Sequence, residues 1–171
     1  MTDTDCGGMV LPDVVLSAAS DVLVALEAAR LRVVTAESCT GGLVAGALTH
    51  QAGSSAAVSG GFVTYSNAMK QTCLGVPEAM LVQWGAVSEA VALAMAFGAL
   101  QAADDADVSV AITGIAGPDG GSAEKPVGLV WFAVMRRGRE ARAERRMFAG
   151  GRIAVRAQAV GHALGMVLGE V

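Results

Sequence analysis

Five short strand-like runs interleaved with stretches of helical periodicity predict an α/β fold, a three-layer α/β/α sandwich on a mixed, mostly parallel sheet of about five strands. Two observations shape that expectation. The early strand-like runs are separated by helices, as parallel strands joined by crossovers require. The last two runs, 128–135 and about 142–148, are separated only by an arginine-rich turn and read as a hairpin, which introduces one antiparallel strand.

Taken in order, residues 1–10 show no periodicity and are expected as a loose tail, with a single domain over 11–171. From 11 to about 30, Val14, Val15, Ala18, Val22, Leu23 and Leu26 recur at helical spacing, and Pro12 suits a first turn. A strand at 32–35 runs into the loop AESCTGG and a helix at about 42–50. Gly53 ends that helix, 54–61 reads as a small-residue loop, and 62–66 as a strand. Ser66 or Asn67 then caps a short helix containing Lys70. Pro77 opens another helical stretch, and Ser88 caps a long apolar helix. A buried strand at 108–113 leads into TGIAGPDGGSAEKPVG, and the last helix spans about 152–168.

At 171 residues the chain has the length of one domain. Its mean hydropathy is +0.52, yet no run approaches the ~20 apolar residues that cross a bilayer, so no membrane association is expected. Acids in MTDTDCGG stand where an export signal would carry bases, and three cysteines without paired spacing suit a reducing cytoplasm. Net charge is −4, although 136–146 carries six arginines. Without interleaved aromatics on an acidic chain, that segment reads as a solvated hairpin tip, and no nucleic-acid partner is expected.

Residues 53–70 concentrate unusual chemistry. They hold the only tyrosine (Tyr65), the only asparagine (Asn67) and one of two lysines (Lys70), against ten arginines. A lysine can lose its proton and act as a base, whereas arginine cannot. The loops 36–42, 67–70 and 114–128 all follow predicted strands, so parallel strands would bring them to one crevice at the strands' carboxyl ends. A helix N-terminus lowers a lysine's pKa by only about 0.3–1 kcal/mol, at most about 2, against 1.36 per unit. Burial or a nearby cation, Arg152 being the candidate, must supply the rest. On the residues alone, Ser38, Ser54, Ser55 and Ser66 each remain open as the partner of Lys70. Ser122 and Lys125 form a literal S-x-x-K but lie in a loop before Pro126. Both histidines fall on predicted helices, and no residue cluster has metal-ligand spacing, so neither a Ser-His-Asp arrangement nor a metal is expected. Glu37 beside a helix start is expected to bind backbone N–H groups.

TAESCTGG, AGSS, GGFVTYSNAMK, LGVP, GAVSE, TGIAGPDGGSAEKPVGLVWFA and FAGGR, in this order over about 35–156, resemble the CinA C-terminal-domain family. The resemblance implies a three-layer α/β/α fold and a nicotinamide-nucleotide amidohydrolase in its standalone form. Such an enzyme converts nicotinamide mononucleotide to nicotinate mononucleotide and ammonia, in pyridine nucleotide salvage, without metal or cofactor. It further implies a serine–lysine mechanism assisted by tyrosine, with Ser55, the second serine of AGSS, as nucleophile, Lys70 as base and Tyr65 as third member. Ser38, Thr40, Gly41, Gly42, Thr113, Gly114 and Arg152 would line the substrate pocket. Loop N–H groups of Gly41 and Gly42, or of Gly53 to Ser55, would hold the oxyanion, and Arg152 with the loop after Gly114 would grip the phosphate. The acid that commonly follows YSN is Ala68 here. The expected partners are the nucleotide substrate and further copies in a homo-oligomer, dimer or higher. The competing readings are a nucleotide-binding regulatory module without turnover, tied to competence or DNA damage, and a nucleic-acid-associated protein using 136–146.

Overall fold

A computed structural model describes residues 11–171, so the expected tail at 1–10 lies outside the described residues. Among the described residues, five strands form one sheet in the order β2-β1-β3-β4-β5. They are β1 (Val33–Glu37), β2 (Val58–Val63), β3 (Val108–Gly114), β4 (Leu129–Arg136) and β5 (Arg142–Met147). β2, β1 and β3 are parallel, β4 runs antiparallel to β3, and β5 closes the hairpin. The mixed, mostly parallel sheet with β4 as its one reversed strand matches the expected α/β architecture.

Alternation along the strands builds two apolar layers. Val33, Val108, Val110, Ile112 and Phe132 face α1 (Asp13–Ala29), α2 (Leu43–Thr49) and α6 (Arg152–Leu168). Val34, Ala36, Ala111 and Ala133 face α3 (Asn67–Leu74), α4 (Glu78–Trp84) and α5 (Glu89–Ala102). Thr35 and Glu37 share the parity of Val33 and so look toward α2. Ser88 caps α5, its hydroxyl accepting from Val91 N at 3.4 Å.

One element begins earlier than its composition suggests. Residues 54–61, expected as loop, form a single 3-10 turn (Ser54–Ala56) and most of β2. Gly60 and Gly61 hide the strand from a propensity reading, since glycine carries no side chain to pattern. Gly61 is there for packing: a Cβ at this position would lie 2.5 Å from Thr35 Oγ1 and 3.1 Å from Ala45 Cβ. Pairing with β1, not intrinsic preference, makes this segment a strand.

The arginine-rich hairpin serves the fold. Arg137 donates to the carbonyls of Leu100 (2.6 Å), Ala103 (3.1 Å) and Ala106 (2.7 Å), closing the C-terminus of α5. Arg136 and Arg139 donate to the Glu170 carbonyl beyond α6, and Arg142 pairs with the Glu170 carboxylate at 3.5 Å. Cations at helix C-termini satisfy carbonyls that the helix leaves open.

Candidate active site

The parallel strands deliver three loops to one edge of the sheet, as the sequence suggested. β1 ends at Glu37 and passes into Ser38; β2 ends at Val63 and passes into Thr64 and Tyr65; β3 ends at Gly114. Ser38, Cys39, Tyr65, Asn67, Lys70, Thr113, Gly114, Asp119 and Arg152 all line a cavity of about 270 Å³ at this edge. A larger cleft of about 880 Å³, beside Leu74, Met80, Leu93, Phe97 and Met135, has no nucleophile and no titratable group.

Lys70 organises the cavity. Ser66 caps α3, its hydroxyl accepting from Met69 N at 3.1 Å, which places Lys70 in the first turn. Helical side chains lean toward the N-terminus, and this one turns back beneath the strand ends. Its Nζ lies 3.0 Å from Ser38 Oγ, 2.8 Å from Thr64 O and 3.5 Å from Tyr65 O. The residue is 1% exposed. Burial lowers its pKa from the ordinary 10.5. The expected help from Arg152 is not the cause; that guanidinium instead reaches Tyr65 Oη at 3.2 Å and the Gly117 carbonyl at 3.0 Å.

Ser38 is held from both sides. Its N–H donates to Ile112 O at 2.9 Å, continuing the β1–β3 ladder, and its carbonyl accepts from Gly41 N at 3.0 Å. Beneath it lies Glu37, fully buried. One Glu37 oxygen accepts from Gly42 N (3.0 Å) and Val44 N (3.1 Å), the other from Ala45 N (2.8 Å) and Thr35 Oγ1 (3.2 Å). The carboxylate thus closes the N-terminus of α2, as expected of an acid beside a helix start. Gly42 takes φ 93°, a left-handed conformation that lets its N–H turn inward to Glu37.

The other expected residues divide. Thr113 is buried, donates to Ala86 O at 2.8 Å and lines the cavity, as do Gly114, Tyr65 and Arg152. Thr40 is fully buried and outside the lining; its carbonyl accepts from Arg156 at 2.8 Å, and its hydroxyl meets no partner among the described residues. Gly41 and Gly42 spend their N–H groups on Ser38 O and Glu37, so they are not oxyanion donors in this arrangement.

Ser55 does not meet Lys70 within the chain. It sits three residues before β2, at the opposite edge of the sheet, where its carbonyl accepts from Arg32 at 3.1 Å. The six residues of β2, at about 3.3 Å each, separate the two edges by roughly 20 Å. Gly53 and Ser54 share that far edge, away from Lys70. Ser122 and Lys125 form a local turn, with Lys125 Nζ on Trp84 O at 2.6 Å.

Cys39, Asn67 and Asp119 were not among the expected pocket residues. Asn67 carried a signal as the chain's one asparagine, and Asp119 as an acid within a glycine-rich loop. Cys39 carried none beyond adjacency to Ser38; burial pushes its thiol up to about 12. Among the described residues, no three His, Cys, Asp or Glu side chains form a metal-binding group.

Comparison with known proteins agrees with this architecture. The "Nicotinamide-nucleotide amidohydrolase PncC" of Enterobacter agglomerans is 55% identical over 146 residues, covering 85% of this chain and 88% of that protein. Its namesake in Escherichia coli (strain K12) is 57% identical over 140 residues, covering 82% and 84%. The crystal structure of the competence/damage inducible protein CihA from Agrobacterium tumefaciens superposes with a TM-score of 0.90 at 47% identity, covering 94% of this chain and 97% of that one. The family model for the CinA C-terminal domain matches residues 16–171, and the chain belongs to that family.

Proposed function

We propose that the protein hydrolyses the carboxamide of nicotinamide mononucleotide, giving nicotinate mononucleotide and ammonia, with Ser38 as nucleophile and Lys70 as its base. The observation that carries this reading is the 3.0 Å approach of Lys70 Nζ to Ser38 Oγ in a buried corner of a polar cavity. The names of the relatives at 55% and 57% identity support the substrate class.

The surroundings of Lys70 suit a neutral amine. Such a group has two N–H donors and one lone pair; the carbonyls of Thr64 and Tyr65 take the donors, leaving the lone pair for the Ser38 hydroxyl. In the first step Lys70 accepts the Ser38 proton as Oγ bonds to the carboxamide carbon. The resulting oxyanion is held by the backbone N–H of Cys39, the residue that follows the nucleophile and lines the cavity. Collapse breaks the C–N bond, and the leaving nitrogen receives the proton that Lys70 carries, with Tyr65 assisting the transfer. Water, deprotonated by Lys70, then attacks the acyl carbon and releases the carboxylate product and free Ser38. Arg152, fixed between Gly117 and Tyr65, binds the 5′-phosphate.

Two further features belong to this reading. The exposed Val82, Trp84 and Phe97 on α4 and α5 support a homo-oligomer. The free Cys39 and Cys73 suit a reducing cytoplasm, and no helix among the described residues is long and apolar enough to cross a membrane. The test is ammonia release from nicotinamide mononucleotide, with free nicotinamide and glutamine as controls. Release from the nucleotide alone is expected; no release from any of them defeats the reading.

A further inference from the structure

The cavity holds two opposite charges that do not pair. Arg152 lines it and commits N–H groups to Gly117 O and Tyr65 Oη. Asp119 lines the same cavity, and its carboxylate makes no hydrogen bond or ion pair among the described residues. Asp119 lies two residues beyond Gly117, whose carbonyl anchors Arg152, and both residues line the same cavity.

An exposed loop carboxylate is ordinarily just solvated. This one stands in a concave site where, of the polar side chains among the described residues, Asn67 alone is uncommitted beside it. Ser38 and Lys70 take the reacting carboxamide, Thr113 is spent on Ala86 O, and Arg152 takes the phosphate. An ionised carboxylate only accepts hydrogen bonds, and it repels a phosphate placed directly against it. It therefore needs donors that lie beside the phosphate without being part of it. A nicotinamide nucleotide has only two kinds of donor: the carboxamide N–H₂, which must sit at Ser38, and the two ribose hydroxyls.

On the deamidase reading above, we propose that Asp119 accepts hydrogen bonds from the ribose 2′- and 3′-hydroxyls and is the residue by which the site selects a ribose-bearing substrate over free nicotinamide. Its two carboxylate oxygens match an adjacent pair of hydroxyls, the pairing by which acidic side chains hold ribose in other nucleotide sites. Arg152 and Asp119 then divide the sugar phosphate between them, one for its charge and one for its diol.

The test is a cycle of wild type and Asp119→Ala against nicotinamide mononucleotide and its 2′,3′-dideoxyribose analogue, followed by ammonia release and by calorimetric binding in parallel. Wild type is expected to lose roughly 10- to 100-fold in kcat/KM on the analogue, the size of a charge-assisted hydrogen bond. Asp119→Ala is expected to lose about as much on the nucleotide and no more on the analogue. A variant that still discriminates between the two as wild type does overturns the proposal. So does an equal loss on both substrates, which would assign the carboxylate to the ring's positive charge. If wild type releases no ammonia, the deamidase reading falls, and the same cycle read by binding still decides the role of Asp119.

Discussion

Each edge of the sheet brings a serine next to a cation, and the two pairs are built for opposite ends. At the amino edge Arg32 donates to the carbonyls of Ser55, Ala56 and Val58, donates to Ser59 Oγ, and pairs with Asp105 at 3.0 Å. That cation cannot lose its proton, its donors are occupied, and it contacts Ser55 only through the backbone. At the carboxyl edge Lys70 is buried, its pKa is lowered, and it meets Ser38 side chain to side chain. Proximity of serine and cation is common to both edges. Only at the carboxyl edge can the cation become a base.

The comparison is broken most severely by removing that capacity. Lys70→Arg keeps a positive charge but no base, and kcat/KM for ammonia release is expected to fall roughly 10²- to 10⁴-fold. Loss of the guanidinium in Arg152→Ala is expected to raise KM roughly 10- to 100-fold while kcat changes less, as for one charge-assisted contact to phosphate. Steady-state kinetics on the nucleotide distinguish the two patterns.

Glu37→Gln addresses the support beneath Ser38. An amide turned toward α2 must set an N–H₂ against backbone donors that now reach a carboxylate oxygen. A loss of about 1–3 kcal/mol in unfolding free energy is expected by denaturant titration. A wild-type midpoint would show that the carboxylate is not what holds the α2 terminus.

A subtler difference lies in pH. Folding lowers the Lys70 pKa, so between that lowered value and the ordinary 10.5 the unfolded chain binds more protons than the folded one. This group's contribution to stability therefore rises with pH across that window, and below it the full penalty of a buried charge persists. Wild type should gain Tm relative to Lys70→Met as pH rises toward 10.5. The rate should also climb with pH as the amine loses its proton; a pH-independent rate would contradict the base assignment.

The helices, hairpin and convergence of loops were legible in the sequence because each has a local cause. Ser66 and Ser88 cap as their hydroxyls predict, and α6 runs from Arg152 to Leu168 on its periodicity. Lys70 was legible because a lone lysine among arginines at a helix start is unusual. What was not legible depends on pairing. The glycines of β2 concealed where the strand begins. Seen in sequence, Ser55 is fifteen residues from Lys70 and Ser38 thirty-two; the residues alone left both open, and the choice of Ser55 rested on the family resemblance. Parallel pairing of β1 with β2 reverses that order in space. Asp119 escaped because it shares a cavity with Arg152, which lies far along the chain.

The most direct test of the account sets the two serines side by side, measuring ammonia release from nicotinamide mononucleotide by Ser38→Ala and Ser55→Ala. The account predicts release near background for Ser38→Ala and within about twofold of wild type for Ser55→Ala, since the latter hydroxyl touches neither the cavity nor Lys70. Near wild-type release from Ser38→Ala, with Ser55→Ala inactive, would contradict it.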